Sequence, residues 1–205
     1  MSSVSEQVQT ALATMSGWEF VAVTLAIAYL LLAVRQNSLC WYCAFASTAI
    51  YTVLFWDVQL LMESALNVYY MLMAVYGWWQ WRHGGKADTK LPVRRWQVQQ
   101  HIFTIAGIVT ITLLSGTLLH LYTEAAWPYL DSFTTWASVI TTYMVARKIL
   151  ENWLYWMVIN STSIFLFIDR GLYLTALLLV SYLIISIFGL MNWRRDYRQH
   201  LTAHA

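Results

Sequence analysis

Residues 171–193 read GLYLTALLLVSYLIISIFGLMNW and carry no charged side chain. A helix that crosses the hydrocarbon of a bilayer needs about 20 mostly apolar residues at about 1.5 Å of rise each. This stretch meets that length. Working back towards the N-terminus, six more segments do so, some narrowly: 150–168, 132–147, 100–122, 58–81, 39–56 and 18–34. The whole chain agrees, with 60% hydrophobic and 11% charged residues in 205, against about 25% charged in soluble domains. Such a chain cannot cover itself with polar side chains in water. Its two prolines, Pro92 and Pro128, leave long helices uninterrupted. The 12 tryptophans and 13 tyrosines suit membrane interfaces, where a ring with one polar atom is at home. The sequence therefore predicts an all-α integral membrane protein with seven transmembrane helices.

The longest polar connection is 82–99, RHGGKADTKLPVRRWQVQ, and the other links are short, so neighbouring helices form antiparallel hairpins. Charge then separates the two ends. One end collects Arg35, Arg82, Lys86, Lys90, Arg94, Arg95, Arg147, Lys148, Arg194, Arg195 and Arg198. The other keeps Arg170 with Glu6, Glu19, Asp57, Glu124, Asp131 and Asp169. The positive-inside rule places the N-terminus outside and the C-terminus in the cytoplasm, which an odd number of helices requires. Residues 1–17 lack the basic start and apolar core of a cleavable signal and read as a tail, either a short surface helix or disordered. A net charge of +2 leaves no footprint for nucleic acid.

An internal repeat sharpens the arrangement. Shifted by 112 positions (147 − 35), residues 35–82 lie on 147–194 without a gap. Identities include Arg35/Arg147, Trp41/Trp153, Asp57/Asp169, Tyr70/Tyr182, Gly77/Gly189, Trp81/Trp193 and Arg82/Arg194. Three helices, one linker helix and three more give two repeats of the same orientation, a known transporter plan with the site between the bundles. The expected divisions are an N-terminal tail (1–17), a first repeat (18–81), a cytoplasmic loop (82–99), a linker helix (100–122), a second repeat (132–194) and a cytoplasmic tail (195–205).

Polar side chains inside a span are costly and invite a functional reading. The third helix carries Glu63, Asn67 and Tyr70 on one face, and Glu63 is the only acid well inside a predicted span. Counter-ion to a cationic substrate is one reading. A hydrogen bond to a neighbouring helix and a shallower position are the others. The sixth helix carries Trp153, Trp156 and Asn160 on one face, two indoles and an amide suited to a flat heteroaromatic ligand. Indole faces attract cations, although Trp153 could equally be an interfacial anchor. The fifth helix adds Trp136, Thr135, Ser138 and Thr142, whose hydroxyls could also serve helix packing. Glu151, beside Arg147 and Lys148, reads as a local ion pair. Cys40 and Cys43 form a lone C-x-x-C, too few ligands for zinc, and read as small buried side chains.

These residues resemble a known family. The run NVYYMLMAVYGWWQW (67–81) resembles the third-helix motif of PnuC-type vitamin transporters, and RKILENWLYWMVIN (147–160) resembles their R-K-x-x-E-N-W-x-x-W-x-x-x-N motif. The likeness covers most of residues 18–195. It implies a three-plus-one-plus-three helix fold similar to the SWEET sugar transporters, sited in a bacterial inner membrane. It further implies facilitated diffusion of a vitamin that a cytoplasmic kinase then traps, with Trp153, Trp156 and Asn160 contacting substrate. Members similar to this chain usually show Gln in place of Asn67 and a small or neutral residue near Glu63. That departure favours thiamine, whose aminopyrimidine pairs with a carboxyl and an amide, over nicotinamide riboside.

Two other classes compete. A sugar uniporter would share the architecture, since sugars also stack on indoles. A membrane enzyme would need paired acids, a metal cluster or an activated nucleophile, and none is visible, so neither catalysis nor a cofactor or metal is expected. The expected partners are the vitamin and membrane lipid. Proton coupling and a homo-oligomeric state are left open.

Overall fold

The computed structural model describes residues 9, 10, 13, 15–57, 59, 61–85, 91–123 and 126–202. Glu6, Lys86, Lys90, Glu124, most of the 1–17 tail and residues 203–205 lie outside the described residues. Among the described residues the chain forms seven long helices and no strand. They are α1 (Gly17–Val34), α2 (Cys40–Asp57), α3 (Leu61–His83), α4 (Val98–Tyr122), α5 (Pro128–Ala146), α6 (Asn152–Asp169) and α7 (Tyr173–Thr202). α1, α4 and α7 are long and apolar enough to cross a membrane by composition alone. The other four have spanning length but carry more polar side chains.

Local chemistry sets the ends. Ser16 caps α1 by accepting the Glu19 N–H at 3.1 Å, and Glu19 sits favourably at the positive end of the helix dipole. Pro128 begins α5, where its missing N–H costs nothing, so this helix starts four residues before the expected 132. α3 begins at Leu61 rather than 58, because Gln59 takes a left-handed φ of 63° and breaks the run. α7 continues to Thr202, converting most of the expected tail to helix. Charged residues mark the edge of hydrocarbon there, not the end of a helix.

α1 packs on α2, α2 on α3, α6 on α7, and α4 lies along α5. The two halves join where α3 meets α5 and where α1 meets α7. Contacts recur at the 112-residue offset. α1 and α5 both end in a left-handed residue, Gln36 and Lys148, each with φ 52°. At the opposite end Gln59 is matched by Gly171 at φ 74°. Non-glycine residues pay about 1–2 kcal/mol for this conformation, so side-chain partners must hold Gln36 and Lys148 there.

The buried core gathers at the basic end. Trp41 lies edge-on to Trp81 (5.3 Å, 83°), and Trp153 lies edge-on to Trp193 (5.4 Å, 90°). Each inner indole rests on a bare stretch of helix. A Cβ on Gly77 would overlap the Trp41 ring, and one on Gly189 would overlap the Trp153 ring. The Trp81 indole N–H donates to the Val145 carbonyl at 3.2 Å, and the Trp193 N–H donates to the Ala33 carbonyl at 3.0 Å. These bonds cross between the halves and tie them together.

A strap crosses the same end. Leu91 and Val93 bury their side chains in this core. Arg94 exchanges backbone hydrogen bonds with the α5–α6 turn, its N–H to the Lys148 carbonyl at 2.9 Å and its carbonyl to the Leu150 N–H at 2.8 Å. Glu151 does not pair with Arg147 or Lys148 as expected. It binds Arg95 at 2.8 Å and accepts the Trp96 N–H at 3.3 Å, because the strap brings those donors over the turn. This contact raises the pKa of the Arg95 guanidinium further.

Candidate substrate site

α6 supplies the clearest polar feature of the membrane interior. Its first turn is pinned by Asn152, whose side-chain amide donates to the Ile149 carbonyl at 2.6 Å. From there Trp153, Trp156 and Asn160 follow one face. Asn160 is only 5% exposed, and among the described residues no group hydrogen-bonds its amide. Trp156, one turn earlier, is half-buried between the basic-end core and a second apolar cluster built on Ile108, Ala137 and Ile159. On α5, Thr141 and Thr142 donate to the carbonyls of Ala137 and Ser138 in their own helix, and Ser132 Oγ is buried without a partner among the described residues. On α6 the fully enclosed unpaired atoms are Asn152 Oδ1 and Trp153 Nε1; Asn160 is a nearly buried residue whose amide has both donor and acceptor unused and is not sealed off.

α3 reaches α5 through two tyrosines. Tyr69, whose ring tilts against that of Tyr70, donates to the Val139 carbonyl at 2.9 Å, and Tyr76 stacks its ring on Tyr143. This face of α5 is thus turned towards the first three helices.

Other expected site residues stand elsewhere. Glu63 is an exposed residue in the first turn of α3, not an acid deep in a span, because the break at Gln59 shortens the helix at that end. Asn67 spends one amide hydrogen on the Glu63 main-chain carbonyl at 2.9 Å. Trp136 points to the linker helix, its indole N–H donating to Ser115 at 3.1 Å. Trp153 is 1% exposed, enclosed by Gly189 and Trp193. Cys40 is buried in the basic-end core, and both it and Cys43 are free thiols.

Sequence reasoning missed the residues that join the halves at the basic end: Gln36, Lys148, Trp81 and Trp193. The signal was present, since the 112-residue offset lays Gln36 on Lys148 and Trp81 on Trp193.

Among the described residues, seven helices with apolar outer faces define a polytopic membrane protein. Residues 16–195 match the nicotinamide mononucleotide transporter family, and the chain belongs to this family, the PnuC transporters. The nicotinamide riboside transporter PnuC of Escherichia coli (strain K12) is 22% identical over 179 residues, 75% of this chain and 74% of that protein. The riboflavin/roseoflavin transporter RibM of Streptomyces davaonensis is 27% identical over 137 residues, 62% of this chain and 63% of RibM. A crystal structure of the vitamin B3 transporter PnuC shares the fold, with a TM-score of 0.73 and 24% identity over 96% of this chain and 89% of that one.

Proposed function

We propose that this protein carries a cationic, water-soluble vitamin across a bacterial inner membrane by facilitated diffusion, and that the vitamin is nicotinamide riboside. The observation that carries the reading is the unpaired, buried amide of Asn160 beside the half-buried indole of Trp156. A carboxamide on a flat ring complements that pair: its C=O and NH2 answer those of Asn160, and the pyridinium ring stacks on Trp156. Cation–π attraction adds about 2 kcal/mol when both groups are desolvated. Relatives named for nicotinamide riboside and riboflavin support a vitamin substrate.

Thiamine shares the cation and a pairing edge. Two departures favoured it, Asn67 and a deep carboxylate at Glu63; the exposed first-turn position of Glu63 removes the carboxylate, and Asn67 spends an amide hydrogen on its own helix. The proposed cycle is a rocking of α1–α3 against α5–α7, in the manner of SWEET-like transporters, with α4 as the linker. The basic end faces the cytoplasm, where a kinase traps the product. Titration of the purified protein with nicotinamide riboside, thiamine, riboflavin and glucose, followed by quenching of tryptophan fluorescence, tests this. Saturable binding of nicotinamide riboside alone is expected, and Asn160→Ala weakens it at least tenfold. Preference for thiamine, riboflavin or glucose would overturn the substrate assignment.

A further inference from the structure

At the basic end the halves touch through two pairs of residues, each pair 112 positions apart. Lys148 Nζ donates to Gln36 Oε1 at 3.0 Å, and the Trp81 and Trp193 rings cross at 6.0 Å and 61°. Residues that touch their own repeat mate lie on the axis relating the halves. A path between two rocking bundles runs along that axis, so these four side chains stand across the exit.

The details describe a receptor for a cation. Lys148 is 3% exposed, and its ammonium sits 4.7 Å from the centroid of the Trp81 ring. The Gln36 amide is oriented from behind, its Nε2 donating to Asp196 Oδ2 at 2.6 Å, which turns Oε1 to the ammonium. An indole face, a carbonyl oxygen and a carboxylate one bond behind thus converge on one charged group. Here the chain's own ammonium fills the place.

We propose that the Trp81 face and Gln36 Oε1 form a second, exit-side station for the substrate cation, held by Lys148 until the substrate displaces it. The proposal rests on the cationic-vitamin reading. Two like charges repel strongly in a low-dielectric interior, so the station takes Lys148 or the substrate, not both. When Lys148 swings to the basic surface, it strips the indole face and Gln36 of their partner. A substrate cation restores that partner, and a neutral vitamin does not. Exit is thereby coupled to substrate charge.

The test uses the full-length protein in vesicles that expose the basic end, with labelled nicotinamide riboside and its neutral reduced form as probes. Lys148→Met keeps the stem, removes the charge and bears the same backbone strain at φ 52°. Half-saturation by the cation from the basic end is expected to fall roughly tenfold, and maximal uptake to slow, because release is retarded. The neutral form shows no such gain. Lys148→Arg keeps a competing cation and gains no affinity. Adding Trp81→Leu to Lys148→Met abolishes the gain. If Lys148→Met does not fold, Lys148→Gln is read the same way. Equal effects on both probes, or a gain that survives Trp81→Leu, overturn the station alone. If wild-type vesicles take up neither nicotinamide riboside nor thiamine, the substrate reading fails and the station with it.

Discussion

Replacing Asn160 by Leu separates stability from binding. The side chain is 5% exposed, and its amide has no hydrogen-bond partner among the described residues. An amide buried without a partner costs about 1–3 kcal/mol, but the Asn160 amide atoms are not among the fully enclosed unpaired ones, so only part of that cost applies. Leu copies the branching at Cγ, and its larger volume offsets what is gained. The empty variant is therefore expected to match wild type to within about 1 kcal/mol. With ligand the two separate. At a concentration of 100 times Kd, substrate stabilises wild type by about 2.7 kcal/mol, but a variant binding a hundredfold more weakly gains only about 0.4 kcal/mol. Thermal unfolding in detergent, with and without nicotinamide riboside, reads both quantities. A lower melting temperature for the empty variant would mean that Asn160 holds the fold together. An undiminished ligand-induced shift would remove it from the site.

The remaining expectations concern the basic-end core. Gly189→Ala and Gly77→Ala push a methyl into the Trp153 and Trp41 rings. Each should lower stability by about 1–2 kcal/mol, the overpacking exceeding the helix propensity gained. Gly107→Ala meets open space and should not, and equal effects at all three positions would contradict the packing argument. Trp193→Phe loses the bond to the Ala33 carbonyl and should cost about 1 kcal/mol, read from denaturant unfolding; no loss would mean the crossing bond is idle. Glu151→Ala removes an ion pair whose Arg95 side chain is 58% exposed, so global stability should change by less than about 1 kcal/mol. Amide exchange at Arg95 and Trp96 should nonetheless quicken, and unchanged protection would show that the Arg94 backbone pairs hold the strap alone.

Much of this architecture was legible in the chain because it rests on one-dimensional quantities. The length of apolar runs sets seven helices, and the gapless offset aligns Trp41 with Trp153 and Gly77 with Gly189. What escaped depends on turns and facing. Gln59 adopts a left-handed conformation usually left to glycine, so α3 read three residues too long and Glu63 too deep. Trp136 carried an attractive ring, but which neighbour a helix face meets is decided by packing, here against Ser115. Glu151 was assigned its nearest charges in sequence, whereas the strap supplies Arg95 from a distant segment. Helical spacing alone puts Asn160 and Trp156 on one face of α6, and the structure adds that Asn160 is nearly buried with its amide unpaired among the described residues.

The most direct test of the central claim is uptake of labelled nicotinamide riboside by proteoliposomes containing the purified protein and no imposed ion gradient. The account predicts saturable uptake that stops at equal concentrations on both sides, persists with an uncoupler and is lost in Asn160→Leu. Absence of uptake, accumulation that collapses with the uncoupler, or full activity of the variant would contradict it.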